Sequence, residues 1–107
     1  MIALSVKQPY AELIIRGSKK IEYRSINTRI RGRILIYASK SYVKKDVFDY
    51  FDIEPSECQF GRVIGEVEIV GVDFESPKYL WKLEKPKKYK CPYKPKCRPQ
   101  PVWFYPD

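Results

Sequence analysis

The first forty residues contain three stretches whose hydrophobic pattern is that of β-strands. Ile2–Val6 is a short apolar run, and Ile34–Ala38 is a continuous apolar run of the kind that suits a strand covered on both faces. Lys20–Arg24 alternates charged with apolar side chains, which indicates a half-buried strand. Because Glu22 and Arg24 share one face of that strand, a line of charge is expected there.

Two other segments have helical spacing. Pro9 can open a helix because its φ is already fixed, and Gly17 can end that helix in a left-handed conformation. Ser41 can cap a second helix, which carries aspartates on one side. The opposite side of this second helix, expected to be buried, consists of Val43, Val47, Tyr50 and Phe51.

The second half of the chain is rich in β-forming residues. Arg62–Phe74 predicts a long strand in which Gly65 and Gly71 mark bulges of the kind that let a strand turn a barrel corner. Tyr79–Leu83 predicts a shorter strand, and Pro86 is expected to stop it.

The remaining residues complete the predicted fold. Pro86–Pro101 is so rich in proline that we expect an extended loop, and Val102–Tyr105 predicts a final strand. Short strands, bulge glycines and two short helices indicate an α+β, mainly β, fold over residues 1–107 as a single domain. We expect a small β-barrel with the two helices packed at its openings.

The composition restricts the chemistry. The 107 residues include no histidine, which excludes Ser-His-Asp and Cys-His nucleophiles and imidazole acid/base catalysis. Three cysteines without histidine are too few for a zinc site in one chain, so neither a metal nor a cofactor is expected. Cys91 and Cys97 are spaced to close a small disulfide loop that leaves Cys58 free. The scarcity of Asn and Gln is typical of thermophile proteins.

Charge is distributed unevenly along the chain. Residues 1–36 carry a net +6, residues 37–79 a net −4 and residues 80–107 a net +6, within an overall charge of +8. If the two basic parts meet in space, they form a positive face that suits phosphate. The alternative is a coat of solvated lysines. Lysines and one arginine between residues 87 and 98, interleaved with Tyr89 and Tyr93, form a second basic strip.

The first residues lack the features of a secretory signal peptide. No apolar run approaches the roughly 18 residues that cross a bilayer. We therefore expect a cytoplasmic protein with no membrane partner.

Several ordered motifs carry a family resemblance. They are a Gln-Pro-Tyr helix start, a Gly-x-Lys-x-x-Glu-x-Arg stretch, and an Arg-Gly pair before a strand that ends in Ala-Ser, at Gln8–Tyr10, Gly17–Arg24 and Arg31–Ser39. Together they resemble the ASCH domain (activating signal cointegrator homology) of the PUA-like superfamily. The likeness continues at Gly65–Val72 and Trp81–Pro86, whereas Tyr89–Pro99 departs from the family pattern.

The resemblance implies a PUA-like β-barrel with a cleft floored by the motif residues, and nucleic acid, mainly RNA, as the partner. Tyr10 or Tyr23 could stack on a base if exposed, but both fall on apolar faces, which favours core packing. The candidate nucleic-acid-binding residues are Lys7, Gln8, Lys19, Glu22, Arg24, Arg29, Arg31, Ser39 and Lys40.

The charged motif residues have two interpretations. We expect Lys19, Glu22 and Arg24 to converge in a polar cleft in which Glu22 orients the two cations. The alternative is an ion pair between Glu22 and Arg24 that only holds the barrel together.

A hydrolase remains an alternative function. Some ASCH proteins are amidohydrolases on acetylated cytidine with a catalytic Lys, Thr and Glu, and others have been linked to ribonuclease activity. Lys19 matches the catalytic Lys, but Glu22 stands at the Thr position, and Glu75 lies in a short turn where the enzymes have a helix. Lys19 and Glu22 could still form a catalytic acid/base pair if burial shifted their pKa values. A protein-interaction adaptor that uses the acidic helix is a further alternative.

Overall fold

The computed structural model describes all residues from Met1 to Asp107. Half of the residues lie in strands, and the fold is α+β, mainly β, as the sequence predicts. Each of the two α-helices has six residues, well short of the 18 or more that a membrane-spanning helix needs. The elements, in chain order, are β1 (Ala3–Gln8), α1 (Tyr10–Ile15), β2 (Ile21–Arg24), β3 (Gly32–Tyr42), α2 (Lys45–Tyr50), a 3₁₀ turn (Pro55–Glu57), β4 (Arg62–Glu75), β5 (Lys78–Tyr93) and β6 (Trp103–Phe104).

All six strands belong to one sheet, in the order β2-β5-β4-β3-β1-β6. β1 and β3 are parallel, and every other neighbouring pair is antiparallel. The sheet curls into a half-barrel. Trp81 of β5 stacks on Trp103 of β6, with ring centroids 5.6 Å apart. Because β5 and β6 lie near opposite edges of the sheet, this stack closes the curl.

The core occupies both faces of the sheet. On β3, Ile34, Ile36 and Ala38 join the larger apolar cluster, which α1 covers, while Leu35 and Tyr37 join a smaller cluster on the other face. The prediction of a strand covered on both faces is therefore confirmed.

The two predicted bulges are also confirmed. The pairing of β4 with β5 shifts register between Val63 and Gly65 and again between Ile69 and Gly71. A Cβ on Gly65 would lie 2.4 Å from the Lys87 carbonyl oxygen, so β5 can approach β4 this closely only at a glycine.

The predicted end of β5 is wrong, because the strand continues through Pro86 to Tyr93. The register with β4 passes from Glu68 opposite Glu84 to Glu66 opposite Lys87, so β5 has one extra residue there. Proline has no N–H to donate to a ladder, and a bulge is a position where none is required. Half of the segment expected to be a loop is therefore strand.

The predicted second helix is wrong in its start and in its buried face. β3 extends to Tyr42 and includes Ser41, and α2 begins at Lys45. The buried residue of α2 is Phe48, which packs with a small apolar cluster, whereas Tyr50 is 82% exposed. Val43 lies before the helix and is partly buried against the same cluster, so the buried position within α2 is Phe48 and not the set expected from the sequence.

Candidate functional site

A cleft of about 930 Å³ lies between β1, β2, the second half of β3 and the segment that precedes β6. Its lining combines residues of the first basic third of the sequence and residues of the last with four residues of β3. The lining residues are Ser5, Val6, Lys7, Tyr10, Lys19, Glu22, Tyr23, Arg24, Tyr37, Ser39, Lys40, Ser41 and Arg98–Val102. The two basic parts of the chain thus meet at one cleft.

Glu22 holds two cations on the floor of the cleft. Its side chain is 9% exposed, and its Oε2 accepts a hydrogen bond from Arg24 Nε at 2.8 Å. Lys19 Nζ lies 3.8 Å from Oε1 of the same carboxylate. Two cations therefore share one anion, which leaves a local excess of one positive charge.

Arg24 also ties the two ends of the curled sheet together. Its Nη2 donates a hydrogen bond to the Ser5 carbonyl oxygen at 2.9 Å, which joins β2 to β1. Its guanidinium carbon lies 5.7 Å from the ring centre of Trp81, which is fully buried. The pair of Glu22 and Arg24 therefore helps to hold the half-barrel closed.

Lys19 lies between two aromatic rings. Its Nζ is 5.4 Å from the ring centre of Tyr10 and 5.1 Å from that of Tyr23, within cation–π range. Burial lowers the pKa of Lys19, the charge of Glu22 opposes that change, and the charge of Arg24 adds to it. Tyr23 is 54% exposed, so the expectation that it packs in the core is wrong. The charged face of β2 points inward and its tyrosine points to solvent.

The family model described as ASCH domain matches residues 4–100. The chain belongs to the ASCH domain family. This match includes the Gly17–Arg24 stretch that builds the floor of the cleft, and it confirms the family expected from the sequence. The ASCH family is associated with nucleic-acid binding, mainly of RNA, and with hydrolases. A search of curated proteins gives no match.

Six of the nine predicted nucleic-acid-binding residues line the cleft of this ASCH domain, and three do not. Gln8 is fully buried: its Nε2 donates to the Gln59 carbonyl oxygen, and its Oε1 accepts from the Glu12 backbone N–H. Arg31 donates to two carbonyl oxygens of its own loop, and Arg29 is exposed outside the cleft. Gln8 and Arg31 are used within the fold.

The far wall of the cleft is Arg98–Val102, and Arg98 is the one residue of the predicted second basic strip that lines it. Ser5 holds this wall: its N–H donates to the Val102 carbonyl oxygen at 2.9 Å, and its Oγ donates to the Gln100 carbonyl oxygen at 2.8 Å. The high density of proline and positive charge predicts an extended basic strip, but it does not show which surface that strip lies against. The pairing of β6 with β1 decides where that segment lies, and local pattern does not show it.

The three cysteines are free thiols, so the disulfide expected between Cys91 and Cys97 is not formed in this structure. Cys91 lies in β5, while Cys97 Sγ lies 2.7 Å from the Tyr105 carbonyl oxygen. No group of three or more Cys, Asp or Glu side chains is placed to hold a metal ion.

Proposed function

We propose that this ASCH domain binds nucleic acid, RNA in preference to DNA, in the cleft around Lys19, Glu22 and Arg24. The observation that carries the proposal is the convergence of these three charged side chains on the floor of an open cleft, beside an exposed tyrosine. The family's association with RNA favours RNA over DNA.

The floor offers both donors and an acceptor to a ligand. Arg24 uses Nε and Nη2 on Glu22 and on the Ser5 carbonyl oxygen, which leaves Nη1 without a protein partner. Lys19 Nζ is too far from Glu22 for a strong hydrogen bond, so its protons are available to a ligand. Glu22 Oε1 can accept from an amino or imino group. This combination suits the edge of an unpaired base.

The aromatic residues beside the floor supply a stacking surface. Tyr23 is exposed and Tyr10 is half-buried, and both line the cleft. Stacking of a base on an aromatic side chain contributes about 1–3 kcal/mol and depends little on which base is present. We therefore expect binding with little sequence specificity, to single strands or to the ends of structured RNA.

A titration of a fluorescent single-stranded oligoribonucleotide, followed by anisotropy, tests the proposal. Lys19→Ala should weaken binding about tenfold, because it removes a charged donor from the floor. Lys20→Ala is the matched control, since Lys20 is the exposed neighbour and lies outside this cleft. Affinity should also fall steeply as salt rises. Equal losses for both variants, or no binding at about 50 mM salt, would contradict the proposal.

A second candidate function is hydrolysis, and the state of Lys19 favours it. A lysine whose pKa is lowered by burial next to a carboxylate is a candidate for acid/base catalysis. Glu22→Gln separates this candidate from binding alone. If Glu22 acts as a general base, the variant should still bind but lose turnover of acetylated cytidine or of an RNA strand by about 100-fold. If the wild-type protein turns over neither substrate, this candidate is rejected.

A further inference from the structure

The cleft contains two groups of cations, which we call its floor (Lys19 and Arg24) and its rim (Lys7, Lys40 and Arg98). The two groups differ in whether the cations form ion pairs. Lys19 and Arg24 on the floor share the carboxylate of Glu22. Lys7, Lys40 and Arg98 line the same cleft, and none of them forms an ion pair. Three unneutralised cations around one opening create a positive potential that an anionic ligand would relieve.

Hydroxyl groups stand among these cations. β1 and β3 run parallel and place Ser5 opposite Tyr37, and the following residues of both strands continue the lining with Lys7, Ser39 and Ser41. Serine and lysine side chains are among the groups that most often contact phosphate oxygens in nucleic-acid complexes. The rim therefore has the donors that a phosphodiester requires and no carboxylate of its own.

Arg98 comes to the rim on the wall formed by Arg98–Val102. Two hydrogen bonds from Ser5 fix that wall, and the carbonyl oxygen of Ser5 accepts the bond from Arg24. One residue of β1 thus sets the distance between the wall and the floor. A ligand on the floor is held beside the rim by the same framework.

We propose that Lys7, Lys40 and Arg98 form a phosphodiester-binding rim, in which Arg98 stands on the wall that Ser5 holds. A bound strand would then have its phosphates on the rim and a base on the floor. Paired bases in a duplex face each other and cannot enter the floor, so the ligand is an unpaired strand. This inference rests on the proposed function, because it assigns the parts of the same cleft to the parts of one ligand.

Arg98→Ala tests the inference against Arg29→Ala, which removes the same charge from an exposed arginine outside the cleft. Oligoribonucleotide affinity is measured by anisotropy at several salt concentrations. For Arg98→Ala we expect about a tenfold loss of affinity. The slope of log affinity against log salt should shrink by about 0.7, the value for one lost phosphate contact on a single strand. Arg98→Lys should keep the slope, and Arg29→Ala should leave it unchanged.

An abasic strand of the same length distinguishes contacts at the rim from contacts at the floor, because it has phosphates but no bases. Arg98→Ala should weaken binding of the abasic and the ordinary strand by the same factor, since the lost contact is to phosphate. Tyr23→Ala should weaken only the ordinary strand. Equal effects of Arg98→Ala and Arg29→Ala, or a loss confined to the ordinary strand, would overturn the rim assignment. If Lys19→Ala weakens binding while Arg98→Ala does not, the rim assignment fails and the proposed function stands; if the wild-type protein binds no RNA, both fail.

Discussion

Two buried carboxylates in this protein each pair with two cations, and only one of them faces a cleft. Glu12 on α1 has a side chain that is 3% exposed, with Arg16 Nε at 2.7 Å and Lys88 Nζ at 2.9 Å from its Oε2. Glu22 on β2 is nearly as buried, with Arg24 at 2.8 Å and Lys19 at 3.8 Å. By the usual criteria of burial and pairing, the two clusters look alike.

The surroundings of the cations distinguish the two clusters. Arg16 and Lys88 extend into solvent, and the hydrogen bond from Arg16 to Glu12 is the main cause that raises the pKa of Arg16. Lys19 and Arg24 are mostly buried and line a cleft, and burial lowers the pKa of Lys19. A buried ion pair alone is therefore weak evidence of function. A cation that lines a cleft and is partly removed from water is better evidence of a functional site.

The largest expected difference between the clusters is in stability. Arg24→Ala leaves Glu22 with a single, more distant cation and breaks the link to Ser5. We expect a loss of about 3–5 kcal/mol, because Glu22 stays buried with only the weaker, 3.8 Å contact to Lys19 to offset its charge. Arg16→Ala should cost about 1 kcal/mol, since Glu12 keeps Lys88 at 2.9 Å. Thermal and denaturant unfolding measure both losses, and similar values would mean that the clusters do not differ in this way.

The next difference concerns the tyrosine beside Lys19. Tyr23→Ala should weaken RNA binding by about 1–3 kcal/mol, the contribution of one stacked base. It should change stability by less than about 0.5 kcal/mol, because Tyr23 is half exposed. Tyr50→Ala is the matched control, since Tyr50 is exposed on α2 and does not line the cleft. A loss of affinity with Tyr50→Ala as large as that with Tyr23→Ala would argue against stacking at the cleft.

Replacement of each carboxylate by the neutral amide, Glu12→Gln and Glu22→Gln, compares the two clusters with one and the same chemical change. Glu12→Gln should lower the melting temperature and leave RNA affinity unchanged. Glu22→Gln should change affinity by less than tenfold, because Glu22 orients the cations that contact the ligand. Unfolding curves and anisotropy titrations are recorded on both variants. If Glu22→Gln lowers the melting temperature by many degrees and leaves affinity intact, the Glu22 cluster is architecture like that of Glu12.

The smallest expected effect is the pH dependence that Lys19 gives to stability. Its folded pKa lies below the ordinary value of 10.5, so between those two values the unfolded chain binds more protons than the folded protein. The free energy of unfolding should therefore receive a contribution that rises with pH across that window. Lys19→Met should lack this rise, whereas Lys20→Met should retain it. A wild-type contribution that falls across the window would contradict the assigned environment of Lys19.

Parts of the fold that depend on local pattern could be predicted from the sequence. The alternation at Lys20–Arg24, the apolar run at Ile34–Ala38 and the bulge glycines all lie where the structure has them. The continuation of β5 through Pro86 could not be predicted from the sequence, because it depends on a bulge in the pairing with β4 that makes the proline acceptable. The buried position of α2 is Phe48, and the sequence does not show this because apolar or aromatic residues lie on more than one side of so short a helix.

The candidate site also has one part that local sequence predicts and another part that depends on contacts between distant residues. The motif residues Lys19, Glu22 and Arg24 are close in sequence, and the geometry of one turn and one strand brings them together. Arg98 reaches the cleft only because the last strand pairs with β1, so its place depends on a contact between distant parts of the chain. The motif position of Gln8 predicts a binding residue, but its amide is buried and hydrogen-bonded within the fold.

We expect nucleic acid to bind at this cleft and not over the basic surface in general. A two-dimensional amide NMR titration of the protein with a short single-stranded oligoribonucleotide distinguishes these two modes of binding. We predict saturable shifts in the amide signals of Ser5, Lys7, Lys19 and Gln100, with those of α2 and of the Arg29 loop unchanged. Shifts spread evenly over the lysine-rich surface, or confined to the Arg29 loop, would contradict the claim.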